Sequence, residues 1–477
     1  MASADSVQGR FDGLHRKVLG ELGLLTLWHS SLDVKVLCAQ RFIRLFAYGG
    51  STLILASYLS ALGIADDRIG LFMTLTLVGD VAISFFLTLF ADAMGRRAVL
   101  ALGSALMACS GIVFGLFGNY WILLAAAVVG VISPSGNEIG PFRAVEESTL
   151  AHLTAREHLS DIFVWYSLIG TAGTALGMMA CGWIINLLQI TKGWQYLHAC
   201  QIVFFAYAGI GAVKFLLSIC LSHEVEAAKK DKNGATASQH QQQQQRAADG
   251  PETQPLLGER ANNENNQKNS LFSFLGSSDL VSLVITLFVL FGLDSFASGL
   301  ASLSWMTYFF KRKFSLPEGE LGSIFFTTSL ISAGSMLVAS SIAKRIGNVK
   351  TMVFTHLPSA ICLALIPVPS ALPAALTFLV LRACSQSMDV APRSAFLAAA
   401  LPPEKRTAIM GAINVVKTCS QSLGPLITGV LANHDLFGAS FTLAGILKAI
   451  YDIGMLISFA GRERAQRMAS NQSGESA

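Results

Sequence analysis

The sequence is short of charge. Of its 477 residues, 34 are Lys or Arg and 30 are Asp or Glu, a charged fraction of 13%. A soluble globular chain carries about 25%. Half that density cannot coat a water-exposed particle of this size. The composition excludes a soluble enzyme, a nucleic-acid binder and a disordered scaffold. Other shortages narrow the field further. The eight cysteines form no C-x-x-C pair, so neither a zinc site nor a disulfide framework is expected, and they read as small buried hydrophobes. The first 36 residues hold no apolar core beside a small-residue cleavage site, and no cleavable signal peptide is expected. No G-x-x-x-x-G-K-[ST] loop occurs, which disfavours an ATP-driven pump, and no H-E-x-x-H occurs, which disfavours an intramembrane enzyme. No cofactor and no metal are expected.

What is present is apolar. Hydrophobic residues make up 52% of the chain. A membrane helix needs about 20 mostly apolar residues. Runs of that kind lie near 44–64, 69–91, 98–117, 120–141, 162–188 and 199–221, then near 279–309, 318–342, 350–369, 373–392, 408–431 and 437–460. The expected fold is an all-α integral membrane protein with twelve transmembrane helices in two six-helix bundles. The boundaries follow: an N-terminal cytoplasmic segment 1–36, a bundle 37–222, a linker 223–272, a second bundle 273–460 and a C-terminal tail 461–477. The linker holds HQQQQQ and is polar and low in complexity, which predicts disorder.

Lysine and arginine set the orientation. With both termini in the cytoplasm, the outer loops carry only Arg68, Lys192 and the cluster Lys311, Arg312, Lys313. That cluster fits outer headgroups or a binding role.

The halves repeat at an offset of about 250 residues. ADAMGRRAVL (91–100) parallels AKRIGNVKTM (343–352), so Gly95 matches Gly347. NEIGP (137–141) parallels MDVAP (388–392), so Glu138 matches Asp389. ALGMMACG (175–182) parallels SLGPLITG (422–429), with both glycines in register. Internal repeats around a midplane site characterise secondary transporters.

The loop Asp92-Ala-Met-Gly95-Arg96-Arg97 resembles the D-x-x-G-R-R/K signature of the major facilitator superfamily. Thr88 stands where that pattern has a small Gly, and Lys344 replaces the Asp in the second copy. The resemblance implies two rocking bundles with alternating access to a central cavity. It also implies that Asp92, Arg96 and Arg97 clasp the cytoplasmic ends of neighbouring helices in the outward-open state. The family's proton-coupled exporters carry a glycine-rich motif with Gly-Pro in the fifth span. Here Gly173, Gly177 and Gly182 lie in the fifth span, but the Gly-Pro pair, Gly424-Pro425, falls in the eleventh with Gly429.

Ionisable groups inside a bilayer are expensive, at least about 2.5 kcal/mol each at the centre. Each is therefore a functional candidate. Asp80, Asp294, Arg382 and Lys417 fall near mid-span. Arg382, Gln386, Asp389 and Arg393 share one helical stripe, and Asn414, Lys417, Gln421, Gly424 and Thr428 share another. Asp80, Asp294, Arg382, Gln386, Lys417 and Gln421 are candidates for substrate binding or proton coupling. Asp294 and Asp80 come first as proton carriers, because none of the nine histidines is clearly mid-span. Glu138, Arg143, Asp389 and Arg393 are candidates for a cytoplasmic gate. Lys448 and Asp452 read as an i,i+4 pair, and Arg41 and Arg44 as snorkelling residues. Glu252, Leu256 and Leu257 match an acidic dileucine sorting signal, which points to a vacuolar membrane; the plasma membrane is the other address.

Three functions remain open. One is a proton-coupled exporter of small organic compounds, working as a monomer in the lipid bilayer. Another is an importer of a polar or anionic nutrient, with Arg382 and Lys417 holding the anion. The third is a transport-inactive sensor, against which the short C-terminal tail counts.

Overall fold

The computed structural model describes residues 24–130, 132, 134, 141–155, 157–226, 278–402 and 405–475. The side chains of 84–93, of 462–475 and of a few single positions are outside that description. Glu138, Glu252, Leu256 and Leu257 lie outside the described residues, as does the Asp92 side chain.

Every regular element among the described residues is helical. The amino-terminal half comprises a short α1 (Leu24–His29), then α2 (Leu32–Ala61), α3 (Asp66–Met94), α4 (Arg96–Leu116), α5 (Tyr120–Gly130), α6 (Pro141–Leu153), α7 (Leu159–Lys192) and α8 (Tyr196–Ile219). The carboxy-terminal half comprises α9 (Ser278–Leu300), α10 (Leu303–Phe314), α11 (Glu318–Ile346), α12 (Asn348–Leu365), α13 (Leu372–Ser385), α14 (Val390–Ala400), α15 (Arg406–Asn433) and α16 (Phe437–Glu475). Taken as spans, α5 with α6, α9 with α10 and α13 with α14 are each one crossing broken in two. Twelve crossings result, as the apolar runs predict. Six stretches are long and apolar enough to cross a membrane by composition alone. The remaining crossings are broken or carry charge.

Three predicted spans, the fourth, seventh and tenth, are each two helices rather than one. The fourth run is helical to Gly130 and again from Pro141, with Ile132 and Pro134 outside a helix, and the tenth breaks between Ser385 and Val390. Proline removes a backbone donor and clashes with the preceding turn. Such breaks survive at membrane depth only where protein or a wet cavity covers the freed backbone groups. The first span also begins earlier than its apolar run, at Leu32. Ser31 caps it by accepting a hydrogen bond from the Val34 amide at 3.4 Å.

Within the amino-terminal half, α2 packs on α7 and α4 on α8; within the other half, α9 packs on α15 and α12 on α16. The halves meet along two seams, α7 against α11 and α3 against α15. Both seams are tight at the end remote from the chain termini. There Gly182 lies against the Glu318 carbonyl, and Gly429 against Asp66 and Gly70. Toward the terminus-bearing end Gly173 and Gly292 lie against their own halves, at Phe42 and Ser420. Gly334 in α11 and Gly411 in α15 have no described neighbour within 4 Å of where a side chain would start. The two halves form a wedge, closed at one end.

The cysteines depart from expectation. Cys38, Cys181 and Cys200 are buried, whereas Cys109, Cys220, Cys384 and Cys419 are exposed on helix surfaces. A thiol is apolar enough to face lipid as readily as a core. Leu187, Ile190, Leu216 and Ile457, all more than half exposed, share that outer surface.

Candidate functional site

A cavity of about 440 Å³ opens inside the wedge, lined mainly by the carboxy-terminal half. Its size suits a small molecule. The polar stripe predicted for the tenth span lines it. Arg382 and Gln386 come from the end of α13 and the break, Asp389 from the break, and Arg393 from α14. The break lets four residues of an interrupted helix share one wall.

Asp294 of α9 is the hub of that wall and is 4% exposed. Lys448 Nζ donates to Asp294 Oδ1 at 2.6 Å and to the Ser298 hydroxyl at 2.8 Å. Arg393 Nη1 donates to Asp294 Oδ2 at 3.3 Å, and Arg393 also pairs with Asp389. His356, also on the wall, has its Nδ1 3.0 Å from both carboxylate oxygens of Asp452, which does not line the cavity. Lys448 and Asp452 therefore do not pair with each other. Each reaches across to a different helix, because both project from one face of α16 into the bundle.

Arg382 enters none of these pairs, and its buried Nε has no hydrogen-bond partner among the described residues. Gln386 Nε2 donates to the Ser332 hydroxyl at 3.3 Å, and Ser332 lies 2.5 Å from Ser387.

The other candidates are placed elsewhere. Asp80 is 1% exposed, and among the described residues neither of its oxygens has a hydrogen-bond partner. It is not among the residues lining this cavity; Arg44 is the cation whose field reaches it. Lys417 is also absent from the lining and sits 5.8 Å from the Phe291 ring centroid. Gln421 is buried where α15 meets α9, its carbonyl against Gly299. Of the gate candidates, Arg143 is exposed and pairs with Glu147 at 2.7 Å, one turn on. Asp389 and Arg393 belong to the cavity wall.

A second buried cluster occupies the amino-terminal half. Glu146 is fully buried and accepts from Arg44 Nη2 at 2.6 Å and from the Tyr166 hydroxyl at 2.5 Å. Lys214 Nζ lies 3.5 Å from its other oxygen, and the Arg41 guanidinium lies 4.0 Å from the Tyr166 ring centroid. Arg41 and Arg44, expected to snorkel, are each only 6% exposed. The carboxylate and the aromatic ring hold them inside the bundle.

The signature loop is built around Gly95. Its φ of 91° suits glycine, and Gly347 repeats this at 101° in the second copy. Arg96 and Arg97 present their backbone amides to the Glu226 carboxylate at 2.8 and 3.2 Å. Arg97 also donates through its side chain to the Ile219 carbonyl. The loop thus clasps the end of the sixth span.

The cluster at 311–313 clasps the closed end. Arg312 donates to Asp66 at 2.6 Å, and the Tyr308 hydroxyl lies 3.1 Å from the same carboxylate. Lys311 pairs with Glu318 and lies over the Tyr196 ring. Asp66 and Tyr196 belong to the opposite half, so these contacts tie the halves together.

Sequence reasoning missed the placement of His356, Glu146, Lys214 and Glu226. For the first three the available signal was a charge or histidine inside a span; Glu226, beyond the sixth span, carried none. Among the described residues no group of three or more His, Cys, Asp or Glu is arranged to hold a metal.

Comparison with known proteins agrees with this architecture. The model of the Major Facilitator Superfamily matches residues 37–308 and 287–476. The uncharacterized membrane protein YJR124C of Saccharomyces cerevisiae is 36% identical over 434 residues, 91% of this chain and 95% of that protein. The quinolone resistance protein NorA of Staphylococcus aureus is 23% identical over 171 residues, 36% of this chain and 40% of its own length. A bacterial homologue of the human lysosomal transporter Spinster, solved inward-facing and occupied, superposes with a TM-score of 0.67 at 11% identity, covering 90% of this chain and 96% of that one.

Proposed function

The chain belongs to the major facilitator superfamily, a family of secondary transporters, and on that footing we propose that it exports small organic compounds from the cytoplasm in exchange for protons. The observation that carries this reading is Asp294, held between Lys448 and Arg393 on the wall of a cavity that lies inside a wedge between two halves. A carboxylate shared by two cations can trade one partner for a proton as water access changes. The positive-inside rule assigns the terminus-bearing end to the cytoplasm. The wedge is then the inward-facing state, sealed outside by Arg312 with Asp66 and by Lys311 over Tyr196.

Asp80 has a complementary role. Among the described residues no donor holds its oxygens, which makes it the second candidate to carry a proton. The likeness to a protein named for quinolone resistance is in keeping with export, since keeping a drug out of the cell confers resistance.

The test is reconstitution into liposomes with an imposed pH gradient and a panel of cationic, neutral and acidic solutes. Solute-linked proton flux is expected, and Asp294→Asn should remove its pH-driven part while leaving the protein folded. No linked flux across the panel, or a D294N protein with intact pH-driven transport, would refute the reading.

A further inference from the structure

We propose that Arg382 is the anion-binding residue of the cavity, and that the transported compounds carry an acidic group, a carboxylate or a phosphate. The inference rests on reading the cavity as the transport site.

The argument is charge balance. The charged side chains on the wall are Asp294, Asp389, Arg393, Lys448 and Arg382, with His356 beside them. Asp294 is matched by Lys448 and Arg393, and Asp389 by Arg393. Two carboxylates thus meet two cations. His356 turns to Asp452, behind the wall. Arg382 is left over. It lines the cavity, and among the described residues its buried Nε has no partner and no carboxylate is paired with it.

A guanidinium cannot shed its proton to escape this position. In the wedge-shaped state, water in the cavity compensates it. Alternating access requires an occluded state in which most of that water leaves. A neutral compound would then seal the cation away with no counter-charge, which is strongly unfavourable. An acidic group supplies that counter-charge, and the planar fork of the guanidinium fits a carboxylate or phosphate with two parallel hydrogen bonds.

The neighbourhood fits the same ligand. Gln386 lies one turn on and bonds to Ser332, which also meets Ser387. These groups can turn donors toward further ligand oxygens. Lys417, the other cation read as an anion partner, is not part of this lining and sits against Phe291. The acidic group is therefore assigned to Arg382 alone.

The test uses purified full-length protein in detergent, where no proton gradient exists. Melting temperatures are measured with matched pairs: succinate against succinamide, benzoate against benzamide, and glucose 6-phosphate against glucose. At least one acid should stabilise the protein where its neutral partner does not. The pair that responds separates carboxylate from phosphate. Arg382→Gln should weaken the apparent affinity about tenfold or more, as expected for loss of a charged bidentate contact. Arg382→Lys should retain part of it. Lys192→Gln, exposed at the end of α7 and outside the cavity, should retain all of it. Equal shifts with neutral partners, no shift with any acid, or an R382Q protein that keeps the shift would each overturn the proposal. The wild-type comparison of acid with neutral partner stands even if R382Q fails to fold. Acid binding that depends on Arg382 without proton-linked flux would leave this inference intact and sink proton-coupled export. The reverse result would sink only the anion site.

Discussion

Glu146 in the amino-terminal half and Asp294 in the carboxy-terminal half each sit between two cations: Arg44 and Lys214 around one, Lys448 and Arg393 around the other. Their surroundings differ. Glu146 is fully enclosed, closed over by Tyr166, and absent from the cavity lining. Asp294 lies on the cavity wall, and its neighbour Arg393 has a second carboxylate to lean on. The same arrangement of charges does different work in the two halves. Sealed in a dry bundle, it braces α2, α6 and α8 against one another. On a wet wall, with exchangeable partners, it can respond to a proton or a ligand.

The largest expected effect tests that division. Glu146→Gln strands Arg44 and Lys214 with no full counter-charge. Breaking a buried pair by removing one partner costs about 3–5 kcal/mol, so this variant should lose most of its folded yield, read by size-exclusion profile and melting temperature. Asp294→Asn should keep the fold, because water in the cavity and Asp389 relieve the stranded cations, and should lose pH-driven transport. Comparable folding losses in the two variants would erase the distinction between brace and transport site.

The glycines sharpen the comparison from the other side, because here the halves agree. The paired glycines of the fifth and eleventh spans keep their partnership in space. Gly177 and Gly424 pack inside their own bundles, against Phe46 and Gly299, while Gly182 and Gly429 pack across the seams. Gly182→Val and Gly429→Val should each hold the closed end apart and slow transport about tenfold, a cost of roughly 1.4 kcal/mol on the rate-limiting step, with the melting temperature little changed. Unequal losses in liposome flux would show that the two seams are not equivalent.

The repeat, the twelve crossings and the polar stripe of the tenth span were legible because each leaves a mark along the chain. Hydropathy finds a crossing, a motif finds its copy, and helical spacing finds a shared face. Partnership was not legible. Arg44 meets Glu146 from 102 residues away, and Lys448 meets Asp294 from 154 away. Nothing local to Lys448 favours Asp294 over Asp452, which lies one turn on. The start of the first span was hidden for the same reason. Lys35, Arg41 and Arg44 lower its hydropathy, and the side chains that compensate two of them, Glu146 and Tyr166, come from other helices.

A smaller effect compares the signature loop with its copy. Gly95 and Gly347 both hold φ values that side chains rarely adopt. Substituting alanine at either should cost about 1–3 kcal/mol, seen as a lower melting temperature. Gly95→Ala should be the worse, since its methyl would also press on the Glu226 carboxylate.

Glu226 carries the smallest and most specific prediction. It begins the stretch read from sequence as a tether, yet its carboxylate receives the Arg96 and Arg97 amides at the start of α4. A negative group is favoured there by the helix dipole and by amides with no partner inside the helix. Glu226→Gln keeps an oxygen that can accept one of the two amides but removes the charge. The cost should be about 1 kcal/mol, a small fall in melting temperature. Its effect on flux decides what the contact does. If melting falls and flux per folded molecule holds, Glu226 only caps α4. If flux falls as well, the clasp between the signature loop and the end of the sixth span belongs to the moving parts, and the amino-terminal half takes part in the cycle there rather than at Glu146.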